Sequence, residues 1–244
     1  MKVVLLTVRE VYSKMEFMIF VEMCSETGAV DVIKILLIRH GESIANTKAD
    51  SYFNERVPDQ LVSLTERGIQ QADAAGAWML DYCKKSGISL DDARIWRSPY
   101  ERTRQTSEAF NKHLKIGDIR EDITLVERQY GLFDALPESE WGEKFPAEYA
   151  ECQRQWNSAG DFYLRLPGGE SPFDVALRVH QFMGTIKRDQ KKVLFVFTHG
   201  ITLRCFLLRY FHYTPEWYAN EKNPKNCWIR LIDEGKDEGY IYSE

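Results

Sequence analysis

The chain has 244 residues, 44% of them hydrophobic and 28% charged, which is enough to bury one sizeable core, and a single α/β domain is expected. A net charge of −5 argues against a general nucleic-acid or anionic-membrane binder, because phosphate backbones and acidic lipids select basic surfaces. Five scattered cysteines, Cys24, Cys83, Cys152, Cys205 and Cys227, form no C-x-x-C pair. That usage suits a reducing, cytoplasmic setting and offers neither a disulfide framework nor zinc spacing.

The opening segment MKVVLLTVREVYSKMEFMIFVEM is apolar but is interrupted by Arg9, Glu10, Lys14, Glu16 and Glu22. A membrane span needs about 20 largely apolar residues, and Val3 to Val8 is short for a signal core. Residues 1–30 are therefore read as an extension, and the domain is expected over 31–235. Val30 to Ile38, VDVIKILLI, is β-branched and almost continuously apolar, the pattern of a central strand covered on both faces. LTERGIQQADAAGAWMLDYCKKSG predicts a helix capped by Thr65, carrying Ile69, Ala72, Ala75, Ala77, Met79 and Leu80, and stopped by Gly87.

ARIWRS predicts a short strand ending at Ser98. The helix after it is expected to use Ser98 as N-cap, Pro99 as its first residue and Glu101 to close a capping box. The same start signal recurs at Ser171, Pro172 and Asp174. KKVLFVFTHG then reads as a strand centred on Val193 to Phe197, and ITLRCFLLRYF as an apolar helix. Strands alternating with helices imply a three-layer α/β/α sandwich with a mostly parallel central sheet. Residues 131–168, rich in Trp, Tyr, Phe, Glu and Pro, are expected as an insertion over the site, and 236–244 as a polar tail.

Two strand ends share one layout, with His40 followed by Gly41 and His199 followed by Gly200. In a parallel sheet the carboxyl ends of strands line one edge, where such folds bind ligands, so the two histidines can meet there. A glycine after each would let the backbone turn sharply and a ligand approach closely. Ser98 ends a third strand at that edge, and Arg102 falls in the first turn of its helix, where N–H groups and the dipole already favour an anion. Taken singly, each histidine could be a surface group and Arg39, Arg102 and Arg104 a solvated face. Together they indicate an anion-binding α/β enzyme.

The ordered segments RHGES (39–43), SPYERTRQT (98–106), ERQYG (127–131), PGGES (167–171) and THG (198–200) resemble the histidine phosphatase superfamily, the phosphoglycerate-mutase-like proteins. YFNERVPDQLVSLTERG and LPGGESPFDVALRV resemble its phosphatase-type branch found in bacteria, fungi and plants. The resemblance implies that neutral His40 attacks phosphorus in line, giving a phosphohistidine that water then cleaves. It also implies that Arg39 and Arg102 neutralise the transferring group, with His199, if protonated, as another donor. Glu127 corresponds to the proton donor for the leaving oxygen; its plainer reading is an ion pair with Arg128.

Asn46 matches a phosphate-contacting position, although an Asn after a turn is as readily a local cap. Arg56 is a candidate substrate contact by charge, and Gly41 and Gly200 join it as substrate-binding positions. Glu42 and Ser43 are read as ordering the loop, and Glu170 as ordering the site. No metal or cofactor is required by this chemistry, and His113, His180 and His212 form no metal-ligand cluster with the others. His113 and His180 are expected on helix surfaces.

Phosphoglycerate mutases place an adjacent arginine pair in the segment after the ERxYG motif to grip the substrate carboxylate. Here that segment has no Arg-Arg pair, and its cations are Lys144, Arg154 and Arg165. The departure favours hydrolysis of a small phosphomonoester over mutase activity. Trp141, Phe145, Tyr149, Trp156, Phe162 and Tyr163 are expected mostly to pack the insertion onto the sheet. A non-catalytic phosphate reader would need the arginines but not His40 with Glu127. Oligomeric state is open, a homodimer included.

Overall fold

The computed structural model describes residues 34–47, 57–134 and 136–243. The extension 1–30 and Arg56 lie outside the described residues. Six strands form one sheet in the order β3-β2-β4-β1-β5-β6. They are β1 (Lys34–Arg39), β2 (Ala93–Arg97), β3 (Ile119–Glu121), β4 (Val193–Thr198), β5 (Ile229–Asp233) and β6 (Lys236–Tyr242). β1, β2, β3 and β4 pair in parallel, while β5 runs antiparallel to β1 and to β6. The helices among the described residues are α1 (Ile44–Thr47), α2 (Glu66–Ser86), α3 (Glu101–Leu114), α4 (Glu138–Lys144), α5 (Pro146–Ala159), α6 (Pro172–Lys187), α7 (Gly200–Tyr210) and α8 (Pro215–Asn220).

The expected three layers follow from strict alternation along the central strands. Ile35 and Leu37 of β1 and Leu194 and Val196 of β4 face α6 and α7, packing with Val175, Val179, Phe182 and Phe206. Leu36 and Ile38 with Phe195 and Phe197 face α2 and α3, packing with Ala72, Met79 and Phe110. Every residue of β4 is buried, as a strand covered on both faces requires.

Helix ends follow their local chemistry. Thr65 accepts from the N–H of Gly68, and Gly87 ends α2 with a left-handed φ of 66°. Along α2 the buried face runs through Ala72, Ala75, Met79 and Cys83, leaving Ile69 and Ala77 outward. Ser171 and Asp174 form a complete capping box at α6.

The start of α3 departs from expectation. Its N-cap is Tyr100 without a side-chain cap bond, and Glu101, not Pro99, is its first helical residue. Ser98 is freed from capping because its hydroxyl faces His199 instead. The tail expected at 236–244 is also corrected, since Lys236–Tyr242 is edge strand β6. A two-residue connection, Glu234 and Gly235 with φ of 47° and 76°, turns the chain back in a tight hairpin. Its lysine and acids mark an exposed edge, where charge discourages further strand pairing.

The insertion holds α4 and α5 and has a small core of its own, built from Phe133, Cys152, Leu164 and Leu166 with Trp141 and Phe145 against them. Phe133 stacks on Trp141 at 4.4 Å. The aromatic residues here mostly pack, as expected, although Trp156 and Tyr163 are exposed.

Candidate active site

Parallel register delivers three strand ends to one place. Arg39 of β1 pairs with Thr198 of β4, and Arg97 of β2 with Phe197, so the residues that follow, His40, His199 and Ser98, stand side by side. The His40 N–H donates to Thr198 O at 3.0 Å, and the Ser98 N–H to Phe197 O at 3.0 Å. The two imidazole rings meet edge to face with centroids 5.1 Å apart.

His40 Nδ1 lies 2.7 Å from its neighbour's carbonyl, Gly41 O. A carbonyl only accepts, so Nδ1 carries the proton and Nε2 presents a bare lone pair. Burial, then the charges of Arg102 and Arg39, hold the His40 pKa well below the ordinary histidine value. The ring is therefore neutral at physiological pH, as a nucleophile must be.

His199 would donate only if protonated, and its surroundings hold it neutral. Its Nδ1 lies 3.3 Å from Arg102 Nε, which can only donate, and its Nε2 lies 2.9 Å from Ser98 Oγ. Burial and the charges of Arg102, His40, Arg178 and Arg39 also push its pKa well down. It is a neutral acceptor from Arg102.

Arg102 sits in the first turn of α3, as expected, and is nearly fully buried. Asp59, which the sequence reading did not single out, grips it: Nη1 donates to Asp59 Oδ1 at 2.8 Å and Nη2 to Oδ2 at 3.1 Å. Arg39 donates from Nη1 to Pro224 O at 2.6 Å, while its buried Nε has no partner among the described residues. Burial lowers the Arg39 pKa, and Glu127 opposes that shift.

Glu127 does not pair with the Arg128 side chain. Its carboxyl oxygens accept from the backbone N–H groups of Arg128 at 2.9 Å, Thr202 at 3.3 Å and Ile201 at 3.4 Å, which places it at the N-terminus of α7. Arg128 instead donates to Glu170 O and Leu164 O. Glu170 orders the loop as expected, gripping Arg178 through both oxygens and accepting from Gln129 N.

Asn46 does cap locally: its Oδ1 accepts from Ser43 N at 3.1 Å and from Asn226 Nδ2 at 3.1 Å. Because Ser43 N can only donate, the amide orientation is fixed and Nδ2 is the end turned away from that network. Glu42 accepts from Thr65 Oγ1 at 2.9 Å.

Gly41 has a packing reason for its missing side chain. Its N–H donates to Thr106 Oγ1 at 3.0 Å, and a Cβ there would lie 2.4 Å from Gly68 O. The missing side chain serves backbone contact with α2. At Gly200 a Cβ would meet Asn223 Oδ1 at 3.2 Å and Arg39 Nε at 3.6 Å, so this glycine does leave room beside the arginine. His113 is half-buried against Asp73 at 3.1 Å, whereas His180 is exposed.

Sequence comparison places the chain in a family. Residues 35–242 match the model of the histidine phosphatase superfamily (branch 1). The chain is 31% identical over 224 residues to the phosphoglycerate mutase-like protein AT74 of Arabidopsis thaliana, covering 85% of this chain and 66% of that protein. It is 31% identical over 187 residues to 2,3-bisphosphoglycerate-dependent phosphoglycerate mutase 2 of Gloeobacter violaceus, covering 75% and 77%. Its fold is shared with the crystal structure of a putative α-ribazole-5′-P phosphatase from Escherichia coli, at a TM-score of 0.67 and 18% identity over 88% of this chain and 97% of that one. With the match running from β1 into β6 and the two histidines and arginines meeting at the sheet edge, the chain belongs to branch 1 of the histidine phosphatase superfamily.

Proposed function

We propose that the protein hydrolyses small phosphomonoesters through a phosphohistidine at His40. The observation that carries this reading is the His40 ring itself, buried and neutral, with Nδ1 committed to Gly41 O and Nε2 bare beside two guanidinium groups. Nε2 attacks phosphorus as the ester oxygen leaves, and the transferring group spreads negative charge over its equatorial oxygens. Arg39, whose buried Nε is unpaired, and Arg102 meet that charge, and the Asn46 amide adds a donor. Glu127 protonates the leaving oxygen and, once ionised, takes a proton from the water that cleaves the N–P bond. Acid–base help of this type is worth roughly 10²–10⁴-fold.

Hydrolysis is favoured over mutase chemistry by the insertion. Its cations are each committed to a carboxylate: Lys144 to Glu140, Arg154 to Glu151 and Arg165 to Asp174. No adjacent arginine pair stands there to hold a phosphorylated acid while it reorients.

The test is phosphate release from a panel of phosphomonoesters without added metal, beside a 3-phosphoglycerate to 2-phosphoglycerate assay primed with the bisphosphate. Release that disappears in His40→Ala is expected. Efficient isomerisation with little release would replace this reading with a mutase.

A further inference from the structure

We infer that Ser98 is a positioning residue for this reaction: it accepts the Nε2 proton of His199, holds that ring in place and, through it, sets the aim of the Arg102 guanidinium. The inference deepens the phosphoryl-transfer reading above and rests on it.

The geometry leaves one consistent assignment of protons. Arg102 Nε is always a donor, and it points at His199 Nδ1 across 3.3 Å. Nδ1 must therefore accept, and the proton of the neutral ring belongs on Nε2, 2.9 Å from Ser98 Oγ. That hydroxyl also receives the Tyr100 N–H at 3.3 Å, so both of its lone pairs are used by donors. The opposite tautomer would set N–H against N–H at Arg102 and turn a bare Nε2 toward Ser98. With Ser98 and His199 fully buried and Arg102 nearly so, no solvent is at hand to repair that mismatch. An imidazolium would meet the same N–H clash at Arg102.

Arg102 is thus held at both ends, by His199 on Nε and by Asp59 on Nη1 and Nη2. His199 and Ser98 form the inner hold, and Tyr100, whose ring lies 4.9 Å beneath the guanidinium carbon, fixes its plane. A guanidinium stabilises a transferring phosphoryl group only while that plane is aimed. Ser98 never touches the substrate in this account; it acts through two other side chains.

The experiment uses Ser98→Ala and Ser98→Thr in the full chain. The readouts are the nitrogen NMR shifts of the His199 ring, assigned against His199→Asn, together with binding of inorganic phosphate by calorimetric titration and the split between KM and kcat. The wild-type ring is expected as the Nε2–H tautomer. Ser98→Ala is expected to leave the Nε2–H without its acceptor, moving the Nε2 shift while Arg102 keeps the tautomer, and to weaken phosphate binding about tenfold, with KM rising more than kcat falls. Ser98→Thr, which keeps the hydroxyl, should restore the Nε2 shift and most of the phosphate affinity. An unchanged Nε2 shift and unchanged phosphate binding in Ser98→Ala would overturn the assignment. Because tautomer and phosphate binding are read without turnover, a protein that hydrolyses no ester would refute the proposed function and leave this assignment to its own spectra.

Discussion

His40 and Glu127 carry different parts of the proposed chemistry, and each leaves its own kinetic mark. Burial and the two arginines keep His40 unprotonated well below the usual histidine range, so acidification from pH 7.5 to 5.5 should not remove the nucleophile. A rapid-mixing burst with an aryl phosphate is expected to keep its rate constant across that window; a fall that follows one proton near pH 6.5 would show His40 titrating normally. At Glu127, exchange for glutamine removes the proton source without changing shape. Alkyl phosphates, whose leaving oxygens need a proton, should lose roughly 10²–10⁴-fold in kcat, and aryl phosphates much less. Equal losses on both would make Glu127 a cap for α7 and no more. His40, His199, Arg39 and Arg102 were legible in the sequence because strand, glycine and capped-helix signals place them at one edge. Asp59, Asn226 and the role of Ser98 were not, because a single polar residue whose partner lies dozens of positions away leaves no period to read.

At the scale of elements, the site depends on how closely α2 and α3 approach each other and β1. Gly76 of α2 faces the backbone of α3, where a Cβ would fall 2.4 Å from Phe110 O. Ala ordinarily stabilises a helix interior by up to about 1 kcal/mol over Gly, but here the obstacle is backbone, which cannot swing aside. Gly76→Ala is therefore expected to destabilise by about 1–3 kcal/mol, measured as a shift in urea midpoint with unchanged slope. A gain in stability would mean that the two helices separate freely. Strands and helices were readable wherever apolar spacing was strong, as in β1, β4, α2 and α6. β6 was misread because an edge strand shows one face to water, so its Lys236 and Glu238 carried the signal of a tail. The start of α3 was misread because Ser98 satisfies the capping pattern while its hydroxyl is claimed by His199 from β4, a contact that only the folded sheet creates.

For the whole molecule, two buried neutral histidines tie stability to pH. The folded pKa values of His40 and His199 are both depressed, while in the unfolded chain each returns to about 6.5. Above that value neither state binds these protons and the contribution is fully present. Below it the unfolded chain takes up protons that the fold refuses, so stability is lost as pH falls, at up to about 1.4 kcal/mol per pH unit for each histidine. Unfolding free energy should thus fall between pH 7 and 5, and the slope should lessen in His199→Gln. A wild-type curve flat across that interval would show that the pocket admits solvent and charge.

The central claim, covalent transfer to His40 Nε2, is tested most directly by mixing the protein with a ³²P-labelled phosphomonoester, quenching in alkali and mapping the label. Acid-labile, alkali-stable phosphate on His40, absent from His40→Asn, is the expected result. Steady phosphate release with no labelled histidine, or with the label on another residue, would contradict it.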